Sequence, residues 1–186
     1  MGTYFLESDR LGFGHWTADQ LDLATRLWGN PLVTRYITRT GQMTEPEIAA
    51  RLAREVESGA KHGIQYWPLY LKADGSFLGC CGLRPYDLDQ GIAEVGVHLL
   101  PEAWGKGYAQ EATRAVIDYA FDKLGLQALF AGHNPNNTAS AAVLRKLGFV
   151  RTGEEFYEPT GLWHPAYLLR RDDVRAVRPA QPYRPV

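Results

Sequence analysis

Gly105 and Gly107 flank Lys106 in the segment Trp104-Gly-Lys-Gly-Tyr-Ala109, between an apolar run ending at Leu100 and a helical pattern beginning near Ala109. Glycines at the mouth of a helix let the backbone approach a ligand. The first helical turn leaves N–H groups unpaired at the positive end of the helix dipole. The chemistry implied is anion binding, with a phosphate or pyrophosphate as the expected guest and amides from Gly105 to Ala109, those of Lys106 and Tyr108 included, as donors. The Lys106 side chain either adds charge at the rim or stands in solvent. A Walker loop would need glycine where Leu100 stands and Ser or Thr where Gly107 stands, and a dinucleotide fingerprint would need glycine at Gln110.

Two further groups have chemical potential. Asn137 and Ser140 are three apart at the start of a short helical pattern, so both can face one ligand; helix capping by Asn137 within the turn-rich Asn134-Pro-Asn-Asn137 is the alternative. Glu94 lies in the apolar run Ile92 to Leu100, where loss of water raises a carboxylate's affinity for protons. It is the first candidate for a general base, against a reading as a hydrogen-bonded strand residue. Glu158, in the turn Phe156-Tyr-Glu-Pro-Thr-Gly161, is the second, against a plain surface position. The five histidines, at 15, 62, 98, 133 and 164, lack metal-ligand spacing and there is no Cys-x-x-Cys pair, so no metal is implied. Cys80 and Cys81 are adjacent in an apolar strand, point to opposite faces and read as core thiols.

The elements that must position these groups follow from hydrophobic period and punctuation. Tyr4 to Gly14 reads as a strand. Leu21, Leu23, Ala24, Leu27 and Trp28 give a helix stopping near Gly29, and a short helix from Pro31 to about Tyr36 follows. Thr44 and Glu47 have capping-box spacing before the apolar face Ile48, Leu52, Val56, with an end expected around Ser58-Gly59. Strands are expected over Gln65 to Lys72 and Phe77 to Arg84, joined by the turn Ala73-Asp-Gly-Ser76, and over Ile92 to Leu100. The remainder reads as a long helix to about Gly125, a strand Leu126 to His133, a helix Thr138 to Leu147, and an antiparallel pair Val150 to Tyr157 with Trp163 to Arg171.

Trp104-Gly-Lys-Gly-Tyr-Ala109 resembles the Gln/Arg-x-x-Gly-x-Gly/Ala cradle of the GNAT superfamily of N-acetyltransferases, with Trp104 in the Gln/Arg place and Gly107 and Ala109 in the small-residue places. The Trp is similar to the branch that contains acetyltransferases of ribosomal-protein N-termini, alanine and serine termini among them. A second block, Asn137-Thr-Ala-Ser140 leading to Leu147-Gly-Phe149, resembles that family's Asn-x-x-Ser motif. The resemblance implies an α/β (mixed α+β) GNAT fold, with a mixed, mostly antiparallel twisted sheet of about seven strands flanked by helices. It implies a single domain over 1–171 followed by a Pro-rich tail over 172–186. It also implies acetyl-coenzyme A as co-substrate and direct transfer to a primary amine in a ternary complex, the acceptor being a protein or peptide N-terminus or a small molecule.

Under the same resemblance a bulge at His98, Leu99 and Leu100 offers backbone N–H groups to pantetheine and the thioester oxygen. Asn137 meets the pantetheine arm, and Ser140 stands near the sulfur to assist the departing thiolate. Many relatives place a Tyr acid where this chain has Leu144, which leaves open a second reading, a non-catalytic acyl-coenzyme A sensor. A homodimer is a family-level expectation. From the residues themselves, Trp16, Trp28, Trp67, Trp104 and Trp163 read mostly as core anchors, with Trp67 and Trp163 the two expected to line an acceptor pocket with the segments around them.

Composition bounds what else the chain does. Its 20 Lys and Arg nearly cancel 21 Asp and Glu, so no global field points to nucleic acid or an anionic membrane. The N-terminal residues show neither a basic leader nor an apolar segment, and no run approaches the roughly 20 residues of a membrane helix. A cytoplasmic location is the expectation.

Overall fold

The computed structural model describes residues 4–177. Eight strands form one sheet in the order β1-β2-β3-β4-β5-β6-β8-β7. They are β1 (Leu6–Glu7), β2 (Leu11–Phe13), β3 (Tyr66–Leu71), β4 (Phe77–Asp87), β5 (Ile92–Leu99), β6 (Ala128–Gly132), β7 (Val150–Tyr157) and β8 (Leu162–Arg170). The count exceeds the expected seven because Tyr4 to Gly14 folds back on itself. Leu6 pairs with Phe13, and Ser8 Oγ accepts the Leu11 N–H at 3.2 Å to close the turn.

Every neighbouring pair is antiparallel except β5 and β6. A parallel pair needs a crossover, and α4 (Tyr108–Asp122) supplies it. The β5–β6 pairing spans only Ile92↔Ala128, Ala93↔Leu129 and Glu94↔Phe130. Beyond Glu94 the two strands part, and the opening between them is where α4 and α5 (Thr138–Leu147) begin.

Side-chain alternation divides the core into two layers. One face packs Trp67, Leu69, Cys81, Leu83, Ala93 and Val95 against Ala112, Val116, Ile117 and Ala120 of α4. The other packs Tyr66, Cys80 and Leu100 against α1 (Leu21–Trp28) and α3 (Glu45–His62) through Leu27, Trp28, Ile48 and Leu52. The short α2 (Pro31–Thr34) sits between them in the chain, with the Asn30 side chain accepting the Leu32 N–H. α3 begins with the expected capping box at Thr44 and Glu47, but passes Gly59 and stops at the left-handed Gly63. Cys80 and Cys81 are free and buried on opposite faces. Burial pushes the Cys81 thiol up to about 12, which leaves it protonated and inert.

α6 (Arg171–Val177) makes helix of the first part of the segment assigned as tail. Residues 178–186, with Pro179, Pro182 and Pro185, lie outside the described residues.

Trp67 takes the core position read for the tryptophans in general and not the expected place in an acceptor pocket. It belongs to the α4 face, 1% exposed, and packs against Phe5 and Tyr119 with ring centroids 5.1 and 5.7 Å away. Its neighbour Tyr66 faces the other way, so a pocket reached by one excludes the other. Trp67→Ala should therefore cost about 3–5 kcal/mol of stability by chemical denaturation, with the acceptor Michaelis constant of the folded variant unchanged.

Candidate functional site

The cradle is built by backbone conformation. Gly105 and Gly107 have φ of +72° and +81°, the left-handed region open to glycine. A Cβ at Gly105 would meet nothing within 4 Å, so conformation rather than crowding demands the residue. Gly107 is the N-cap of α4 and brings no side chain to its first-turn N–H groups. Those donors stay available for an anion. Arg10 braces the loop, donating to the Lys106 carbonyl at 3.2 Å while pairing with Glu111 at 2.6 Å. Lys106 is exposed, whereas the Tyr108 side chain is buried in the core beneath Arg10. Of Tyr108, the backbone amide but not the side chain belongs to the cradle.

Next to the loop lies a cavity of about 480 Å³ in the opening between β5 and β6. His98, Leu99, Trp104, Ala109, Asn137 and Ser140 line it, and so does Glu94. Gly105, Lys106, Gly107 and Tyr108 are not on its wall, whereas Trp104 and Ala109, on either side of them in the chain, are. Trp104 closes one side, its Nε1 donating to the Leu99 carbonyl at 2.8 Å.

The expected bulge at His98, Leu99 and Leu100 is absent. Pairing of β4 with β5 continues unbroken from Gly79↔Leu99 to Pro85↔Ala93, and the register shift falls beyond it, between Pro85 and Asp87. The Leu100 N–H donates to the Leu78 carbonyl at 2.9 Å, and ladder alternation turns the His98 amide to the same side. Leu100 itself is buried against α1 and α3. The amides turned to the opening are those of Val97 and Leu99, freed because β6 has diverged. The donors exist as expected, but strand separation rather than a bulge provides them.

On α5, Asn137 is the N-cap, its Oδ1 accepting the Ser140 N–H at 3.1 Å. It caps the helix and lines the cavity at once. Ser140 Oγ has no hydrogen-bond partner among the described residues and is on the cavity wall. Leu144 lines it as well, an apolar wall at the place of the missing Tyr acid.

Glu94 anchors a buried group of charges. Burial raises its proton affinity, opposed by the Arg84 guanidinium and by a hydrogen bond from the Tyr66 hydroxyl to Oε1 at 3.2 Å. Tyr66 reaches this position because residue 96 is glycine: a Cβ there would lie 2.2 Å from the phenol oxygen. Arg84 stacks over the Tyr66 ring at 4.1 Å and pairs with Glu55, and Glu55 also accepts the Tyr66 N–H at 2.8 Å. Arg51 lines the same cavity. Sequence reasoning missed Arg51, Glu55 and Arg84. The signal was present on α3, since Ile48, Arg51, Leu52 and Glu55 follow the i, i+3, i+4, i+7 stripe of a buried face. Charged residues at such positions need partners.

Besides Trp67 and Leu100, two further sequence candidates are not brought here. Glu158 is exposed and off the cavity wall. Trp163 is 61% exposed and packs edge-on against Phe156, its centroid 5.7 Å away.

The chain matches the family described as Acetyltransferase (GNAT) domain over residues 10–150. It belongs to the GNAT acetyltransferase family. It is 30% identical over 149 residues to an uncharacterized N-acetyltransferase, p20, of Bacillus licheniformis, which covers 80% of this chain and 83% of that protein. The fold matches the ribosomal-protein-S5-alanine acetyltransferase of Vibrio fischeri with a TM-score of 0.73 at 24% identity, covering 92% of this chain and 98% of that one. It also matches the spermidine N-acetyltransferase of Vibrio cholerae, solved with CoA and spermine, with a TM-score of 0.73 at 17% identity, covering 88% and 96%. Among the described residues no helix is long and apolar enough to cross a membrane, and no His, Cys, Asp and Glu cluster is arranged to hold a metal.

In this GNAT member the environment of His98 is also fixed. Trp28 Nε1–H donates to His98 Nδ1 at 3.3 Å, which assigns the proton of the neutral ring to Nε2. Burial, with Arg51 and Arg84 nearby, holds its pKa well below the ordinary value. His98 therefore enters the site as a neutral donor.

Proposed function

We propose that the protein transfers an acetyl group from acetyl-coenzyme A to a primary amine, directly and within a ternary complex. The observation that carries the reading is a cavity that lies beside an open glycine cradle at a helix N-terminus, bordered by Trp104 and Ala109, and holds a buried carboxylate at the β5–β6 divergence. The residues present fit coenzyme A: uncapped amides of α4 suit a pyrophosphate, and the strand amides of Val97 and Leu99 suit the amide groups of a pantetheine arm. Bound acetyl-coenzyme A supplies an activated thioester.

This chain's residues do the rest. Glu94 accepts the proton of the incoming ammonium, a role favoured by its raised proton affinity. Tyr66 holds Glu94 Oε1 in place, and Arg84 over its ring keeps the phenol positioned. The Leu99 amide donates toward charge growing on the carbonyl oxygen. Ser140 Oγ, free of other partners, donates to the departing sulfur where relatives use a Tyr. Wild-type protein with acetyl-coenzyme A and a pooled set of amines and N-terminal peptides should release thiol and yield an acetylated amine by mass spectrometry. Binding of the cofactor with no thiol release from any amine would instead support the sensor reading.

Ser140→Ala should lower turnover by about 10- to 100-fold, the worth of one hydrogen bond to a charged group, with cofactor affinity within about twofold. A parallel loss of affinity would move Ser140 from assisting the leaving group to binding.

A further inference from the structure

Arg51 is buried with no carboxylate in ion-pair contact among the described residues. It is 5% exposed, its guanidinium lies over the Trp28 ring at 4.7 Å, and Nε has no hydrogen-bond partner. Neither a hydrogen bond nor an ion pair holds it among the described residues. The neighbouring carboxylates are committed elsewhere. Glu55 is engaged by Arg84 and by the Tyr66 N–H, and Glu94 by the Tyr66 hydroxyl. Arg35 and Arg84 join Arg51 on the cavity wall, against only Glu94 and Glu155.

We infer that the acceptor is a small amino acid, whose amine is presented to Glu94 while its carboxylate is bound by Arg51. The inference rests on the acetyltransferase reading above and narrows it. A buried charge is costly until paired, and the planar guanidinium fork matches a carboxylate with two parallel hydrogen bonds. Arg51 lines this cavity together with Glu94, and it also lines a second one with Glu47 and Arg54; only the first holds the carboxylate that would take the amine's proton. Burial lowers the proton affinity of Arg51, with Arg84 adding to the effect and the Glu55 charge opposing it, and an incoming carboxylate would add to that opposition. Arg51 and Glu94 line one cavity of about 480 Å³, and the Arg51 charge lowers the proton affinity of both Glu94 and His98; amine and carboxylate therefore fit one compact molecule. The coenzyme A phosphates do not compete for it, because the cradle glycines lie off this cavity wall. A polycation meets three arginines here, and the N-terminus of a protein has an amide where the carboxylate is required.

The test measures thiol release by the full chain at saturating acetyl-coenzyme A, with amino acids, their carboxamides and the corresponding decarboxylated amines as acceptors. Free acids should exceed the other two in kcat/KM by about 30-fold or more, the effect of removing one partner of a buried charge pair. Arg51→Gln should abolish that preference by raising KM for the acids far more than for the carboxamides, with cofactor affinity little changed. Arg51→Lys should restore part of it. Equal use of acids, carboxamides and amines by the wild-type protein would overturn the inference while leaving the transferase reading intact, and needs no variant. A uniform loss on all acceptors in Arg51→Gln would assign the guanidinium a structural role and overturn it too. Absence of turnover with every amine would overturn the transferase reading and this inference together.

Discussion

Glu94→Gln should lower turnover at neutral pH by about 10²- to 10⁴-fold, the range for a positioned general base, while the fold stays as stable as before or becomes more so. The two effects have one origin. Burial raises the pKa of Glu94 above its ordinary value, so the folded state favours the protonated form. A carboxyl group with a raised folded pKa stabilises the fold most at low pH, and that contribution is lost as pH rises from the unfolded pKa through the folded one. At neutral pH the ionised group is a net burden on the fold, and glutamine, which is never ionised, removes it. Tyr66 can still donate to the amide oxygen. Without a base, the reaction depends on amine already deprotonated in solution, so the variant's rate should climb with pH and recover part of the loss. Rate against pH, with melting temperature at neutral pH, checks both. A pH-independent loss accompanied by a lower melting temperature would make Glu94 a structural residue.

Local signals in the sequence were legible because backbone conformation dictates them. The left-handed Gly105 and Gly107, the capping box at Thr44 and Glu47, and the Asn137 cap are each set by a few neighbouring residues. Glu94 was legible as a lone carboxylate in an apolar strand. Its partners were not, because Tyr66, Arg84, Glu55 and Arg51 come from three elements that meet only through sheet register and side-chain alternation. The same alternation separates Tyr66 from Trp67: adjacent in the chain, they occupy opposite faces, and only one reaches the cavity. Gly59 read as a helix stop, yet α3 passes through it because the missing side chain admits Gln65, whose Nε2 would lie 2.3 Å from a Cβ there. The expected bulge on β5 failed for a related reason. Unpaired amides arise where β6 departs after Glu94, and the point of departure is set by tertiary packing that β5 alone does not encode.

Gly107→Asp should abolish the stabilisation of the protein by coenzyme A. A ligand at 100 times its dissociation constant stabilises the native state by about 2.7 kcal/mol, equivalent to a rise of about 5–10 °C for a chain of this size. The substitution places a carboxylate at the N-cap of α4, among the amides that would receive the pyrophosphate. The unliganded fold should suffer little. A Cβ at position 107 meets only Arg10 Nη2, at 3.6 Å, and the left-handed strain of about 1–2 kcal/mol is partly offset because Asp is a favoured cap beside that arginine. Gly107→Asn separates charge from conformation, since it imposes the same φ demand and nearly the same volume without the negative charge. The expected order of coenzyme-induced melting shifts is wild type, then Asn with a reduced shift, then Asp with none, measured by thermal denaturation with and without the cofactor. Dephosphorylated pantetheine should give a small shift that does not distinguish the three proteins. An Asp variant that kept the full wild-type shift would remove the pyrophosphate from this loop, and the cavity between β5 and β6 would then have to be entered from another direction.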